Sequence, residues 1–182
     1  MCGIYGIYNN TEEGKKEAMN ELIDGLKKLQ HRGKDSYGYS YINERALLKI
    51  NTVKNMGLVE DQYHDLSTKI NSCIGHVRYS TSGESKDNNS VSMKEVQPLT
   101  QHFKGSGSSD LSIVHNGNIP TINGHDTTKL LSLIIGEQDR RYFNIEESLC
   151  NVMNTVPGSY CLIIQYNNSL YVMKDRFGIR PL

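Results

Sequence analysis

The sequence lacks an excess of either charge: twenty Lys and Arg balance twenty Asp and Glu among 182 residues. Without a long-range field, an electrostatic grip on nucleic acid or an anionic membrane is a poor basis for function. No apolar run approaches the roughly 18 residues of a membrane span. The opening Met1-Cys2-Gly3-Ile4-Tyr5-Gly6 has neither the basic region nor the apolar core of a secretory signal, so a cytoplasmic protein is expected. Four cysteines (Cys2, Cys73, Cys150, Cys161) stand far apart with no C-x-x-C and no histidine at metal-ligand spacing. That pattern gives no sign of a disulfide framework, a zinc site or an iron–sulfur cluster, and no cofactor is expected. Repeats and low-complexity tracts are also missing.

What is present fits one domain with a sizeable core. Apolar residues at Ala18, Met19, Leu22, Ile23, Leu26 and Leu29 predict a helix over Lys15–Leu29, and similar spacing predicts helices over Thr127–Ile135 and Ile145–Val156. Strands are predicted at Gly3–Tyr8, Tyr37–Ile42, Ala46–Asn51, Ser72–Arg78, Leu111–His115, Tyr160–Tyr166 and Leu170–Lys174, with a hairpin turn at Asn167-Asn168. Regular βαβ alternation is missing, so the fold class is α+β with largely antiparallel sheets. Gly83–Ser92 and Gly105–Ser109 are expected loops. Cys73, Cys150 and Cys161 sit in apolar or helical contexts that predict burial.

Several segments carry possible chemistry. Removal of Met1 would give Cys2 a thiol and a free α-amine on one residue, an amine whose ordinary pKa of about 7.7–8.0 suits a general base; the alternative is a small buried hydrophobe. His31-Arg32-Gly33 follows a helix and reads locally as a C-cap with Gly33 in the left-handed region. Arg78 ends an apolar strand ahead of Ser80 and Thr81, where its fork suits a carboxylate. His115-Asn116-Gly117-Asn118 reads as a tight turn whose N–H groups, with the Asn116 amide, suit a developing oxyanion. Asp126 reads as the N-cap of the next helix.

These segments occur in one order: Met1-Cys2-Gly3-Ile4, His31-Arg32-Gly33 with Asp35 and Gly38, Gly75-His76-Val77-Arg78-Tyr79-Ser80-Thr81, His115-Asn116-Gly117-Asn118, and Lys174-Asp175-Arg176-Phe177-Gly178-Ile179-Arg180-Pro181-Leu182. Over essentially the whole chain the sequence resembles the class II glutamine amidotransferases, in particular the N-terminal glutaminase half of amidophosphoribosyltransferases of purine synthesis. Asparagine synthetases would show Arg-Leu and Asn-Gly-Glu at the Arg78 and Asn116 motifs. Glucosamine-6-phosphate synthases usually have Tyr-Arg-Gly where His31-Arg32-Gly33 stands.

The resemblance implies the four-layer αββα fold of N-terminal-nucleophile hydrolases and hydrolysis of glutamine to glutamate and ammonia through a Cys2 thioester. It implies oxyanion donors at Asn116 and Gly117, a carboxylate clamp at Arg78, an ammonium site at Asp126, pocket contacts from Arg32 and Gly33, and a backbone contact from Thr81. Ammonia would pass to a synthase or phosphoribosyltransferase domain or subunit. Residues 1–182 are expected to form a glutamine amidotransferase type-2 domain, incomplete at its C-terminal end and with no phosphoribosyltransferase domain. Two departures stand out: the family's acidic residue two positions after Asp126 is Thr128 here, and nine residues separate Asn116 from Asp126, a short connection. The competing implication is an inactive glutaminase-like domain that engages glutamine or a partner protein.

Overall fold

The computed structural model describes residues 2–46, 49–60, 68–79, 93–104, 108–136 and 144–182. Two four-stranded antiparallel sheets form the centre. The first has the order β1 (Gly3–Tyr8), β4 (Ile70–Arg78), β2 (Ser36–Asn43), β3 (Asn51–Met56); the second runs β5 (Leu99–Lys104), β6 (Ser108–Asn118), β7 (Ser159–Tyr166), β8 (Ser169–Lys174). Helix α1 (Glu12–Lys28) covers the outer face of the first sheet, and α2 (Asp126–Ile135) and α3 (Ile145–Thr155) cover the outer face of the second. The layers therefore run αββα, as expected.

Alternation of side chains assigns the faces. On β4, Cys73 and Val77 join Ala18, Leu22 and Leu26 of α1, whereas Ile74 points between the sheets to Val114 and Ile163. Beneath α2 and α3, Ile113, Leu162 and Ile164 meet Leu130, Ile134 and Val152. The apolar inter-sheet cluster is small. Beside it runs a chain of polar side chains: Thr52 Oγ1 to Thr100 Oγ1 (2.8 Å), Thr100 Oγ1 to Ser112 Oγ (2.9 Å), Ser112 Oγ to Ser40 Oγ (3.0 Å), Ser40 Oγ to Gln165 Oε1 (2.7 Å) and Gln165 Nε2 to Ser72 Oγ (3.0 Å). It crosses between the sheets repeatedly.

The three helices lie within a few residues of their predicted spans. Helix α1 starts earlier than expected because Thr11 caps it, accepting from Gly14 N–H at 3.1 Å. Asn167 and Asn168 have φ of 47° and 60° and form the expected hairpin turn between β7 and β8. The strand expected at Ala46–Asn51 instead begins at Asn51 and runs to Met56, and Leu99–Lys104 is a strand that periodicity did not reveal. Cys73 and Cys161 are buried, but Cys150 is exposed, because α3 packs through Leu149 and Val152 and turns Cys150 outward. The Gly83–Ser92 loop lies outside the described residues. Of Gly105–Ser109, residues 108 and 109 belong to β6 rather than to a loop, and the rest lies outside the described residues.

Candidate active site

The site forms where β1 begins and β4 and β6 end, near the start of α2. Cys2 immediately precedes β1, and the antiparallel register places Gly3 opposite Val77. The Cys2 side chain therefore sits beside the end of β4, with Sγ 4.0 Å from the Tyr79 carbonyl oxygen. Arg32, in the single-turn helix Gln30–Arg32, donates from Nε to the Cys2 carbonyl at 3.0 Å and fixes the backbone next to the thiol. Gly33 is not left-handed: its φ is −163°. It is needed for a different reason, since a Cβ there would lie 2.5 Å from the Arg78 carbonyl carbon. The connection from α1 and the end of β4 are thus in backbone contact.

A cleft of about 410 Å³ is lined by Cys2, Arg78, Gly117, Asp126, Glu95, Gln97 and the histidines 76, 115 and 125, among others. Four of the residues singled out in the sequence, Cys2, Arg78, Gly117 and Asp126, thus share one cavity. Asn116 is buried beside Gly117 on β6, with its side chain on the face shared with Val114. Arg32 and Gly33 support the cleft from behind Cys2 and Arg78. Thr81 lies outside the described residues.

Two local expectations are corrected. Asn116 and Gly117 are strand residues, paired with Cys161 and Tyr160 of β7, rather than a tight turn. The ladder extends through them because Gly117 has no side chain: a Cβ would stand 2.5 Å from the Ser159 carbonyl oxygen and from Tyr160 Cβ. Asp126 is the first residue of α2, and His125 holds the N-cap position without a side-chain capping bond. The Asp126 carboxylate instead accepts from Ile119 N–H at 2.9 Å, tying the end of β6 to α2.

The electrostatics are uneven. Arg78 Nη2 lies 3.2 Å from Glu95 Oε2, while Arg78 Nη1 is buried with no hydrogen-bond partner among the described residues. Burial pushes the His76 imidazole down to about 3, helped by His115 and Arg78 and opposed in part by the nearby His115 backbone. Burial likewise pushes His115 down to about 3, with His125 and Arg180 adding to it. Desolvation also lowers His125. The cleft floor is therefore neutral at physiological pH, with Arg78 on one side and the carboxylates of Glu95 and Asp126 nearby.

Glu95 and Gln97 escaped the sequence reading. They precede the unrecognised strand β5, in a stretch without periodicity; the Gln97-Pro98 step was the available signal, because a residue before proline favours extended backbone.

Similar proteins are found over the whole length of the chain. An amidophosphoribosyltransferase of Methanothermobacter thermautotrophicus is 36% identical over 201 residues, covering 100% of this chain and 39% of the relative. That of Pyrococcus horikoshii is 30% identical over 198 residues, again covering 100% of this chain and 39% of the relative. The chain is homologous to the N-terminal glutaminase portion of amidophosphoribosyltransferases. It spans about two fifths of the length of these relatives. The amidophosphoribosyltransferase likeness extends to solved structures. The glutamine phosphoribosylpyrophosphate amidotransferase of Bacillus subtilis, complexed with ADP and GMP, has a TM-score of 0.72 at 26% identity and covers 100% of this chain and 38% of its own. A structure described as the allosteric regulatory enzyme of purine biosynthesis has a TM-score of 0.74 at 27% identity with the same coverage. No family model matches the chain.

Proposed function

We propose that this chain is the glutaminase half of a cytoplasmic, purine-biosynthetic amidophosphoribosyltransferase, hydrolysing glutamine to glutamate and ammonia through a Cys2 thioester. The observation that carries the reading is the convergence of Cys2, Arg78, Gly117 and Asp126 on one cleft of about 410 Å³, a size suited to an amino acid. With Met1 removed, the Cys2 α-amine takes the thiol proton as sulfur bonds to the carboxamide carbon of glutamine. The tetrahedral oxyanion is held by the Asn116 amide and the Gly117 N–H. Its collapse breaks the C–N bond, and the proton held by the α-amine leaves with nitrogen as ammonia. Water then adds to the thioester, releasing glutamate and restoring the thiol.

Substrate recognition follows from charge. Arg78 takes the α-carboxylate, Asp126 takes the α-ammonium, and Arg32 and Gly33 hold the backbone that carries the nucleophile. Thr81 adds a backbone contact in this reading. Ammonia is received by a phosphoribosyltransferase domain or subunit, in keeping with the two-part architecture of the relatives.

The test is an intact mass spectrum before and after incubation with a diazo-ketone analogue of glutamine, with Cys2→Ala as control. Loss of Met1 and a single adduct that disappears in Cys2→Ala is the expected result. Retained Met1 or no adduct would overturn the glutaminase reading and leave a glutamine- or partner-binding domain.

A further inference from the structure

Three buried polar side chains under the cleft are not accounted for by the roles above. Gln97, His115 and Thr127 are 6%, 4% and 1% exposed. Gln97 Oε1 accepts from the His115 backbone N–H at 2.6 Å, and Gln97 Nε2 donates to Thr127 Oγ1 at 2.9 Å. Thr127 Oγ1 lies 3.1 Å from His115 Nδ1, closing a ring of three contacts. His115 immediately precedes the oxyanion strand residues Asn116 and Gly117, and Thr127 immediately follows Asp126. One amide side chain therefore spans the two halves of the site.

Donor and acceptor types orient the Gln97 amide. The His115 backbone N–H is a donor, so the Gln97 oxygen faces it and the Gln97 nitrogen faces Thr127. Thr127 Oγ1 then accepts from Gln97 and has one proton of its own to give. Among the described residues His115 Nδ1 is the acceptor in contact with this hydroxyl; where it takes that proton, the imidazole proton sits on Nε2, an atom with no partner among the described residues. The ring thus orders as amide to hydroxyl to imidazole.

We propose that Gln97 is a positioning residue that locks the oxyanion strand to the start of α2 and, through Thr127, holds His115 as its neutral Nε2–H tautomer. The role in catalysis rests on the glutaminase reading; the tautomer does not. If the clamp slackens, Gly117 shifts relative to Asp126, and glutamine held by its charged end no longer presents its carboxamide to the oxyanion donors. A misplacement on the order of 1 Å costs roughly 100-fold in rate.

Two readouts test this on the full chain. In long-range proton–nitrogen spectra at neutral pH, assigned by loss of signals in His115→Gln, wild-type His115 should show the Nε2–H pattern. Gln97→Glu replaces the donor facing Thr127 by an acceptor, turns the hydroxyl toward it and should move the proton to His115 Nδ1. An Nδ1–H pattern in the wild type, or a pattern indifferent to Gln97→Glu, overturns the assignment. In glutamine hydrolysis, Thr127→Val and Gln97→Leu should lower kcat by about 10- to 100-fold with KM within about twofold, while Thr127→Ser stays close to wild type. Iodoacetamide should alkylate Cys2 at an unchanged rate in all three, measured in a Cys150→Ser background. Unchanged kcat in Thr127→Val, or a parallel loss of alkylation, overturns the positioning role. A wild type without glutaminase activity would overturn the functional reading and still leave the tautomer measurable.

Discussion

At Gly33 and Gly117 an added methyl group has no space. A Cβ on Gly117 meets the Ser159 carbonyl oxygen at 2.5 Å, and the opposing atom is backbone, which cannot rotate away. Gly117→Ala should therefore cost about 1–3 kcal/mol in urea denaturation through overpacking, and should lower glutaminase activity by displacing the strand that carries Asn116. Arg78 makes a second residue-scale prediction. Its Nη2 already holds Glu95, so a substrate carboxylate must share or displace that partner. Glu95→Gln should lower KM for glutamine by about two- to fivefold, the worth of a half-exposed ion pair; a raised KM would show that Glu95 holds Arg78 in place. At this scale the sequence was informative about residue types and poor about reasons. Gly33 reads locally as a left-handed cap, but what excludes a side chain is the Arg78 backbone, 45 positions later and invisible to local rules.

Among the elements, the turn after β8 depends on one carboxylate. Asp175 accepts from Phe177 N–H at 3.0 Å, from Ile179 N–H at 3.2 Å and from Tyr160 N–H at 3.2 Å. Burial alone would raise this group, but the backbone donors of Ile179, Phe177, Tyr160 and Gly178 outweigh it and hold it below the usual carboxylate value. Asp175→Asn should destabilise the chain by about 1–2 kcal/mol near neutral pH. Because the folded-state value is the lower one, the wild-type advantage is complete above the ordinary carboxylate range and should vanish as pH falls through the folded value. Urea denaturation of both proteins at neutral and acidic pH reads both effects. The helices were legible because their buried stripes repeat with helical period, as in Leu22, Ile23 and Leu26. The two misread strands, β3 and β5, are both sheet edges; β3 fully buries none of its side chains, and Asn51–Met56 carries no alternating apolar pattern. The Asn116-Gly117 step misled for the opposite reason. Its turn chemistry is real in isolation, and pairing with β7 overrides it.

Across the whole molecule, the two sheets are joined by polar as well as apolar contacts. Gln165 is fully buried and bridges Ser40 and Ser72, so Gln165→Leu should cost about 1–3 kcal/mol by removing the Gln165 partner of the Ser72 hydroxyl and leaving Ser40 with Ser112 alone. The buried histidines add a pH dependence. His76 and His115 stay neutral in the folded chain down to about 3, whereas in the unfolded chain they take up protons near their ordinary value of about 6.5. Protons then bind the unfolded state more, so stability should fall as pH drops below that ordinary value, by up to about 1.4 kcal/mol per pH unit for each histidine. Stability measured at pH 5 and 7 checks the sign, and His76→Gln should flatten the slope. The sequence by itself determined the α+β class, the helices, the hairpin at Asn167-Asn168 and the ordered motifs that point to an amidotransferase, because these depend on neighbours a few residues apart or on motif order. Only the tertiary structure decided that Arg78 faces Glu95, that Gly33 abuts a distant backbone and that Gln97 joins His115 to Thr127. Those contacts form between segments far apart in the chain, whose meeting is set by sheet pairing and packing rather than by any local pattern.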